Sequence, residues 1–226
     1  MTKPKKFKGD KKLPINSLLG APEKKLIQAT VHKFPAWIEG YHLTIMTIAW
    51  SAGLICFGYL AQYNRHWLWL SSLMIFLQWF TDSYDGALGR LRDTGIPKWG
   101  YYMDHLLDYA FLCTVFIGYS FLLNEQNTKL VYILLLIGTG FMTSSYLSFA
   151  ATNEFKITYL GFGPTEMRVV FILINTYIIF FGVTFIENYL KYLIPISLVV
   201  LAIVVFRTQK YIWNIDMEDK RSRKKN

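Results

Sequence analysis

Apolar runs of about 20 residues recur along most of the chain, and a run of this length lets a helix cross the ~30 Å hydrocarbon core of a bilayer. Six spans are predicted, at roughly 43–62, 66–92, 100–123, 130–152, 168–186 and 189–207. The length of 226 residues, 53% of them hydrophobic, suits one domain. The sequence therefore predicts an all-α integral membrane protein with about six transmembrane helices, and it excludes a soluble domain with a buried core.

The Lys and Arg residues are distributed unevenly between the two sides of these spans. If the N-terminus is cytoplasmic, 21 of the 24 lie on the cytoplasmic side, and the outer loops hold only Arg65, Lys129 and Lys191. Because positive residues concentrate on the cytoplasmic side, both termini and the loop at 90–99 are expected there. We interpret the net charge of +9 as attraction to anionic lipid headgroups and not as a nucleic-acid interface.

A helical pattern with one apolar face is predicted just before the first span, over residues 21–40. The apolar positions that recur at the spacing of one helix face are Ile27, Val31, Phe34 and Ile38. Lysines on other positions and Trp37 suit a membrane interface, and Pro35 is expected to disturb the helix. The pattern predicts an amphipathic helix that lies on the cytoplasmic surface of the membrane.

Four segments are predicted along the chain. Residues 1–20 are lysine-rich and form a flexible basic arm without the apolar core of a signal peptide. Residues 21–40 form the juxtamembrane helix, residues 41–208 form the six-helix transmembrane domain, and residues 209–226 form a basic cytoplasmic tail. Both cysteines lie inside predicted spans, so the sequence offers no disulfide or zinc framework.

Four carboxylates form two pairs at the ends of consecutive spans. Asp82 and Asp85 are three residues apart, and Asp104 and Asp108 are four apart, so each pair shares one face of a helix. Two antiparallel helices joined by the turn at 94–97 would bring all four acids together. Because such carboxylates repel one another and oxygen ligands suit Mg²⁺ or Mn²⁺, the pattern predicts a divalent-cation site.

The stretch from residue 82 to 108 resembles the motif of the CDP-alcohol phosphatidyltransferase family, Asp-x2-Asp-Gly-x2-Ala-Arg followed by Gly-x3-Asp-x3-Asp. Beside the four acids, the matching positions are Gly86, Arg90 and Gly100. Gly89 stands where the family has Ala, which keeps the position small. The connection between the two halves is about one residue longer than the family's, and an insertion there falls in a loop.

The resemblance implies an enzyme of phospholipid biosynthesis, a phosphotransferase for substituted phosphate groups (EC 2.7.8 type). Such an enzyme transfers a phospho-alcohol group from a CDP-linked donor to an acceptor hydroxyl and releases CMP. The expected partners are the CDP-linked donor, an alcohol acceptor and membrane lipid, without nucleic acid, and the family also implies a possible homodimer. We expect a multi-pass protein with its active site facing the cytoplasm.

The resemblance and the residue types together predict a role for each motif position. The predicted ligands of two Mg²⁺ or Mn²⁺ ions are Asp82, Asp85, Asp104 and Asp108. Asp108 is also the predicted general base that takes the acceptor proton. The predicted contacts of the CDP moiety are Gly86 and Gly89, which lack a Cβ, and Arg90, whose planar guanidinium suits phosphate.

Several alternatives stay open at this point. The segment from Gly163 to Glu166 and the pair Asp104-His105 resemble choline and ethanolamine phosphotransferases, which join a CDP-aminoalcohol to a lipid alcohol. Glu166 and Arg168 are expected either to line the polar pocket or to begin an ordinary helix, and His105 is expected to pack between helices. An intramembrane prenyltransferase and a cation-binding transporter are more distant alternatives.

Overall fold

The computed structural model describes residues 11–12, 17–155 and 163–223. The helices in this part of the chain are α1 (Gly20–Thr30), α2 (Gly40–Ala61), α3 (Leu68–Arg92), α4 (Pro97–Ser120), α5 (Glu125–Thr152), α6 (Pro164–Phe181) and α7 (Thr184–Arg223). Two 3₁₀ turns cover Val31–Lys33 and Arg65–Trp67. Two short strands, β1 (Lys11–Lys12) and β2 (Glu154–Phe155), pair in parallel.

The helices α2, α5, α6 and α7 are long and apolar enough to cross a membrane, which identifies a membrane protein. The helices α3 and α4 have 25 and 24 residues, or about 36 Å, which also exceeds a hydrocarbon core. These two helices carry the acidic motif, and its charges lower their hydropathy. The α-helical architecture is confirmed apart from the two-residue strand pair, whereas six membrane crossings stay a prediction that depends on α3 and α4.

The core of the molecule lies between α2, α3, α4 and α6. The helix α2 packs against both α3 and α4, and α3 packs against α6. Buried side chains from all four helices form one cluster: Leu54, Ile75, Phe111, Val115 and Phe171. A Cβ on Gly58 would lie 2.6 Å from the Cα of Gly118, so the backbones of α2 and α4 touch there. The helices α5 and α7 pack against each other, and α5 also contacts α4.

The helix predicted over residues 21–40 is shorter than expected. The helix α1 ends at Thr30, a 3₁₀ turn follows, and Phe34 is extended. The residue before a proline avoids the helical region, and Pro35 therefore stops the helix there. The predicted apolar face nevertheless stays together, because Val31 and its neighbours pack against Tyr84 and Leu88 of α3. This segment is thus packed on the protein.

The last helix is longer than its predicted span. The helix α7 has 40 residues and runs from Thr184 to Arg223, or about 60 Å. The predicted tail at 209–226 is therefore helical as far as Arg223, and residues 224–226 lie outside the described residues. The prediction of a flexible arm falls mostly outside them as well, because only 11–12 and 17–20 of that arm are described.

Candidate active site

The two motif helices meet through the predicted tight turn. Asp93 follows α3 in the left-handed conformation, and its N–H bonds the carbonyl of Gly89. Thr94 N also donates to Gly89 O, at 3.2 Å. Pro97 then begins α4, where its missing N–H costs no hydrogen bond. The chain therefore turns back within a few residues and places the end of α3 beside the start of α4.

Three of the four acids form one cluster at this end of the helix pair. One carboxylate oxygen from each of Asp82, Asp104 and Asp108 lies within 4.8 Å of the other two. The three side chains are half-buried. Carboxylate oxygens at this spacing are a donor set that fits Mg²⁺ or Mn²⁺. The sequence spacing predicted this meeting of α3 and α4.

Arg168, from the second turn of α6, joins two of these acids. Its Nη2 donates to Asp82 Oδ2 at 2.7 Å and to Asp108 Oδ1 at 3.3 Å. The side chain of Arg168 is only 8% exposed, against 19% for Asp82 and 27% for Asp108. A buried charge is stable only when it is paired, so the arginine and the acids stabilise one another. The cluster holds three carboxyl groups and one guanidinium, so a bound cation would compensate the further negative charge when all three acids are ionised.

The fourth acid, Asp85, is held by a different helix. Thr44 Oγ1 of α2 donates to Asp85 Oδ2 at 2.6 Å, and the Gly86 N–H donates to Asp85 Oδ1. The start of α2 lies directly against this part of α3, because a Cβ on Gly40 would be 2.5 Å from the Asp85 carbonyl oxygen. The Asp85 carboxylate is thereby fixed in orientation beside the three-acid cluster.

Gln78 is a site residue that the sequence reading missed. It is fully buried, and its Nε2 donates to Asp108 Oδ1 at 3.1 Å. Thr44 was missed as well. A signal for Gln78 was present, since it is an amide within an apolar span, four residues before Asp82 and hence on the same helix face.

The predicted nucleotide contacts lie on the outer edge of the site. Gly86 and Arg90 are exposed. The Arg90 guanidinium lies over Gly86, because a Cβ there would be 3.2 Å from Arg90 Nη1. Gly89 is buried, and its Cβ would lie 3.3 Å from the Cα of Gly95. Gly89 thus allows the turn to approach α3, while Gly86 and Arg90 face outward.

His105 packs between aromatic rings, as expected. Its ring centroid is 4.2 Å from that of Tyr101 and 5.1 Å from that of Tyr146. Its Nδ1 lies 2.7 Å from Tyr101 O and 3.7 Å from Asp104 Oδ2. The histidine therefore packs beside the acid cluster and contributes to the wall of the site.

The sequence left Glu166 and Arg168 with the same two possible roles, and the structure gives each residue a different one. Glu166 is buried, and its two oxygens accept from Gly163 N and Leu19 N, each at 2.8 Å. This carboxylate therefore caps the start of α6 and holds the chain just before α1. Arg168, two residues or about half a turn further along α6, takes part in the acid cluster.

The fold and the site together define an α-helical membrane protein with an acidic site on two consecutive helices, whose carboxylate spacing fits a divalent cation. A family model of CDP-alcohol phosphatidyltransferases matches residues 41–208, and the chain belongs to this family. The family consists of transferases that act on CDP-alcohols and generally depend on divalent metal ions. No curated protein and no solved structure matches the chain.

Proposed function

We propose that this protein transfers a phospho-alcohol (phosphatidyl-type) group from a CDP-linked donor to an acceptor hydroxyl and releases CMP, in a metal-dependent reaction. The observation that carries the proposal is the cluster of Asp82, Asp104 and Asp108 beside Arg168. Family membership supports the reaction type. A CDP-linked donor carries a diphosphate, which needs positive charge at the site that binds it.

The acids are the residues that would hold the metal. Asp82, Asp104 and Asp108 present oxygens at a suitable spacing, and Asp85 is the fourth proposed ligand. Mg²⁺ or Mn²⁺ ions bound there would neutralise the diphosphate and stabilise the attacking and leaving oxygens. Thr44 and Gln78 orient two of these carboxylates through their hydrogen bonds.

The remaining residues bind and orient the substrates. Arg90 is exposed beside Gly86, where its guanidinium can donate to a phosphate of the donor and the glycine leaves room for the nucleotide. Gly89 lets the turn at Gly95 pack closely against this part of α3. Asp108 takes the proton of the acceptor hydroxyl. The acceptor oxygen then bonds the phosphorus that carries the donor's alcohol, and the bond from that phosphorus to the bridging oxygen breaks, so CMP leaves.

We place this reaction at the cytoplasmic face of a six-span protein. The support is the distribution of basic residues, with 21 of 24 on the side of the acidic turn. The helix α1 lies at the same end of the molecule, since it packs on α3 near Tyr84. Homodimerisation, which the family resemblance implies, stays a prediction.

A donor and acceptor panel tests the proposal. Purified protein in lipid nanodiscs is given CDP-diacylglycerol, CDP-choline or CDP-ethanolamine, each with polar alcohols or diacylglycerol, and CMP release is measured. We expect release with one donor class, loss of release in EDTA, and recovery with Mg²⁺ or Mn²⁺. Near-full activity in EDTA would contradict the metal site. Release only from CDP-choline or CDP-ethanolamine with diacylglycerol would identify the aminoalcohol phosphotransferase alternative.

A further inference from the structure

Glu23 of α1 is bonded to α3 and α6, two of the three helices that supply the inner part of the site. Its Oε1 accepts from Trp79 Nε1 and Ser83 Oγ of α3, each at 2.8 Å. Its Oε2 accepts from Thr165 Oγ1 of α6 at 3.0 Å. These three partners are neutral donors, and the carboxylate connects three helices. Glu23 is half-buried, whereas the lysines that follow it, Lys24 and Lys25, are exposed.

The contact between α1 and α6 is reciprocal. While Glu23 of α1 accepts from Thr165 of α6, Glu166 of α6 accepts from the backbone N–H of Leu19, directly before α1. The same Glu166 side chain accepts from Gly163 N and so fixes the first turn of α6. We call Glu23, Glu166 and their donors the α1 latch.

The α1 latch lies next to the ion pair between α3 and α6. Ser83 follows Asp82 in sequence, and Thr165 lies three residues, or one helical turn, before Arg168. Further from the acidic turn, α3 and α6 are joined again, because Asn175 Nδ2 of α6 donates to Ser72 Oγ of α3 at 3.0 Å. The Asp82–Arg168 pair is therefore held between a deep hydrogen bond and the latch.

We propose that Glu23 is a positioning residue for the reaction: by joining α3 to α6 through α1, it holds Arg168 against Asp82 and Asp108. The inference rests on the proposed function of the acid cluster, and it adds a role for a segment outside the six spans. Without the Glu23 carboxylate, the first turn of α6 loses the Thr165 bond to α1 and keeps only the Glu166 bond to the backbone before α1. Arg168 then samples positions away from the acids.

The effect on turnover follows from geometry. Displacement of a catalytic group by about 1 Å can cost on the order of 10²-fold in rate, and partial displacement less. We expect Glu23→Ala to lower kcat by about tenfold. Glu23→Gln should restore most of it, because the amide oxygen can accept from Trp79 and Ser83, and the amide nitrogen can donate to the Thr165 hydroxyl.

A spin-label measurement tests the docking without any need for activity. Nitroxides are attached at two exposed positions, Leu26→Cys on α1 and Leu173→Cys on α6, in protein that lacks its two free cysteines. Labelled protein is diluted with unlabelled protein in nanodiscs. Double electron–electron resonance should give one narrow distance for wild type and Glu23→Gln and a broad distribution for Glu23→Ala. The matched control is Glu125→Ala, an exposed first-turn glutamate that pairs only with Lys129 among the described ion pairs.

Mn²⁺ binding then tests whether the latch acts through Arg168. Withdrawal of the guanidinium removes positive charge from the acids, so Glu23→Ala should tighten Mn²⁺ binding, measured by electron paramagnetic resonance. In an Arg168→Gln background the same change should have no further effect, because the group it acts through is gone. A narrow distance in Glu23→Ala, or an equal Mn²⁺ effect in both backgrounds, overturns the inference. Neither result depends on CMP release, so a wild type inactive on the whole donor panel would contradict the proposed function separately.

Discussion

The two halves of the acidic site are stabilised in different ways. The inner half consists of Asp82, Asp108, Arg168 and Gln78. The rim consists of Asp85, Gly86 and Arg90. In the inner half, carboxylates share one buried guanidinium that comes from another helix. At the rim, the carboxylate is held by a neutral hydroxyl, and the arginine is exposed beside a glycine.

The difference indicates that the inner half and the rim have different roles. Charges taken away from water must be compensated within the protein. In the inner half, Arg168 compensates Asp82 and Asp108. The exposed rim keeps its cationic donors accessible to an incoming ligand. We therefore expect changes in the inner half to alter chemistry and stability, and changes at the rim to alter binding with smaller effects.

The largest effect is expected when Asp108 is compared with Asp82. A base in contact with the acceptor hydroxyl contributes roughly 10²–10⁴-fold to the rate. Asp108→Asn should lose turnover by that order and keep donor binding in the presence of metal. Asp82→Asn should weaken metal and donor binding together. Calorimetric donor affinity is measured beside single-turnover CMP release for both variants. If Asp108→Asn loses donor binding as fully as Asp82→Asn, Asp108 is mainly a metal ligand.

A second prediction concerns charge compensation by Arg168. Arg168→Gln leaves Asp82 and Asp108 without their shared cation, and breaking a buried pair from one side costs about 3 kcal/mol of folding stability. Added Mg²⁺ should recover part of this loss, because it supplies the missing positive charge to the same acids. The half-denaturation point is measured in detergent with Mg²⁺ and with EDTA. An equal loss in both conditions would show that the arginine and the metal compensate different groups.

The sequence predicts the part of the site that depends on local spacing. Asp82 and Asp108 lie within 27 residues, and the helix period and one turn are enough to bring them together. Arg168 is 60 residues beyond Asp108, and Glu23 is 142 residues from Thr165. These contacts depend on how α6 and α1 pack against α3. No local sequence pattern predicts that packing.

The same distinction explains why the helix predicted over residues 21–40 is shorter than expected. The apolar spacing through Val31, Phe34 and Ile38 continues past the end of α1, so periodicity alone predicted one helix to residue 40. The backbone restriction before Pro35 ended the helix, while the apolar side chains still packed against α3. Periodicity therefore identified the buried face correctly but not the conformation of the chain.

The smallest effect is expected at the rim, where Thr44 holds Asp85. A hydrogen bond to a charged group is worth about 1.5–3 kcal/mol, and its loss leaves the Asp85 carboxylate free to turn. Thr44→Val should therefore lower kcat/KM by about tenfold and raise the metal concentration for half-maximal CMP release. Thr44→Ser, which keeps the hydroxyl, should behave as wild type. The matched control is Thr47→Val, a buried threonine one turn further along α2. If both valine variants show the same small loss, the effect belongs to helix packing and the hydroxyl of Thr44 does not orient Asp85.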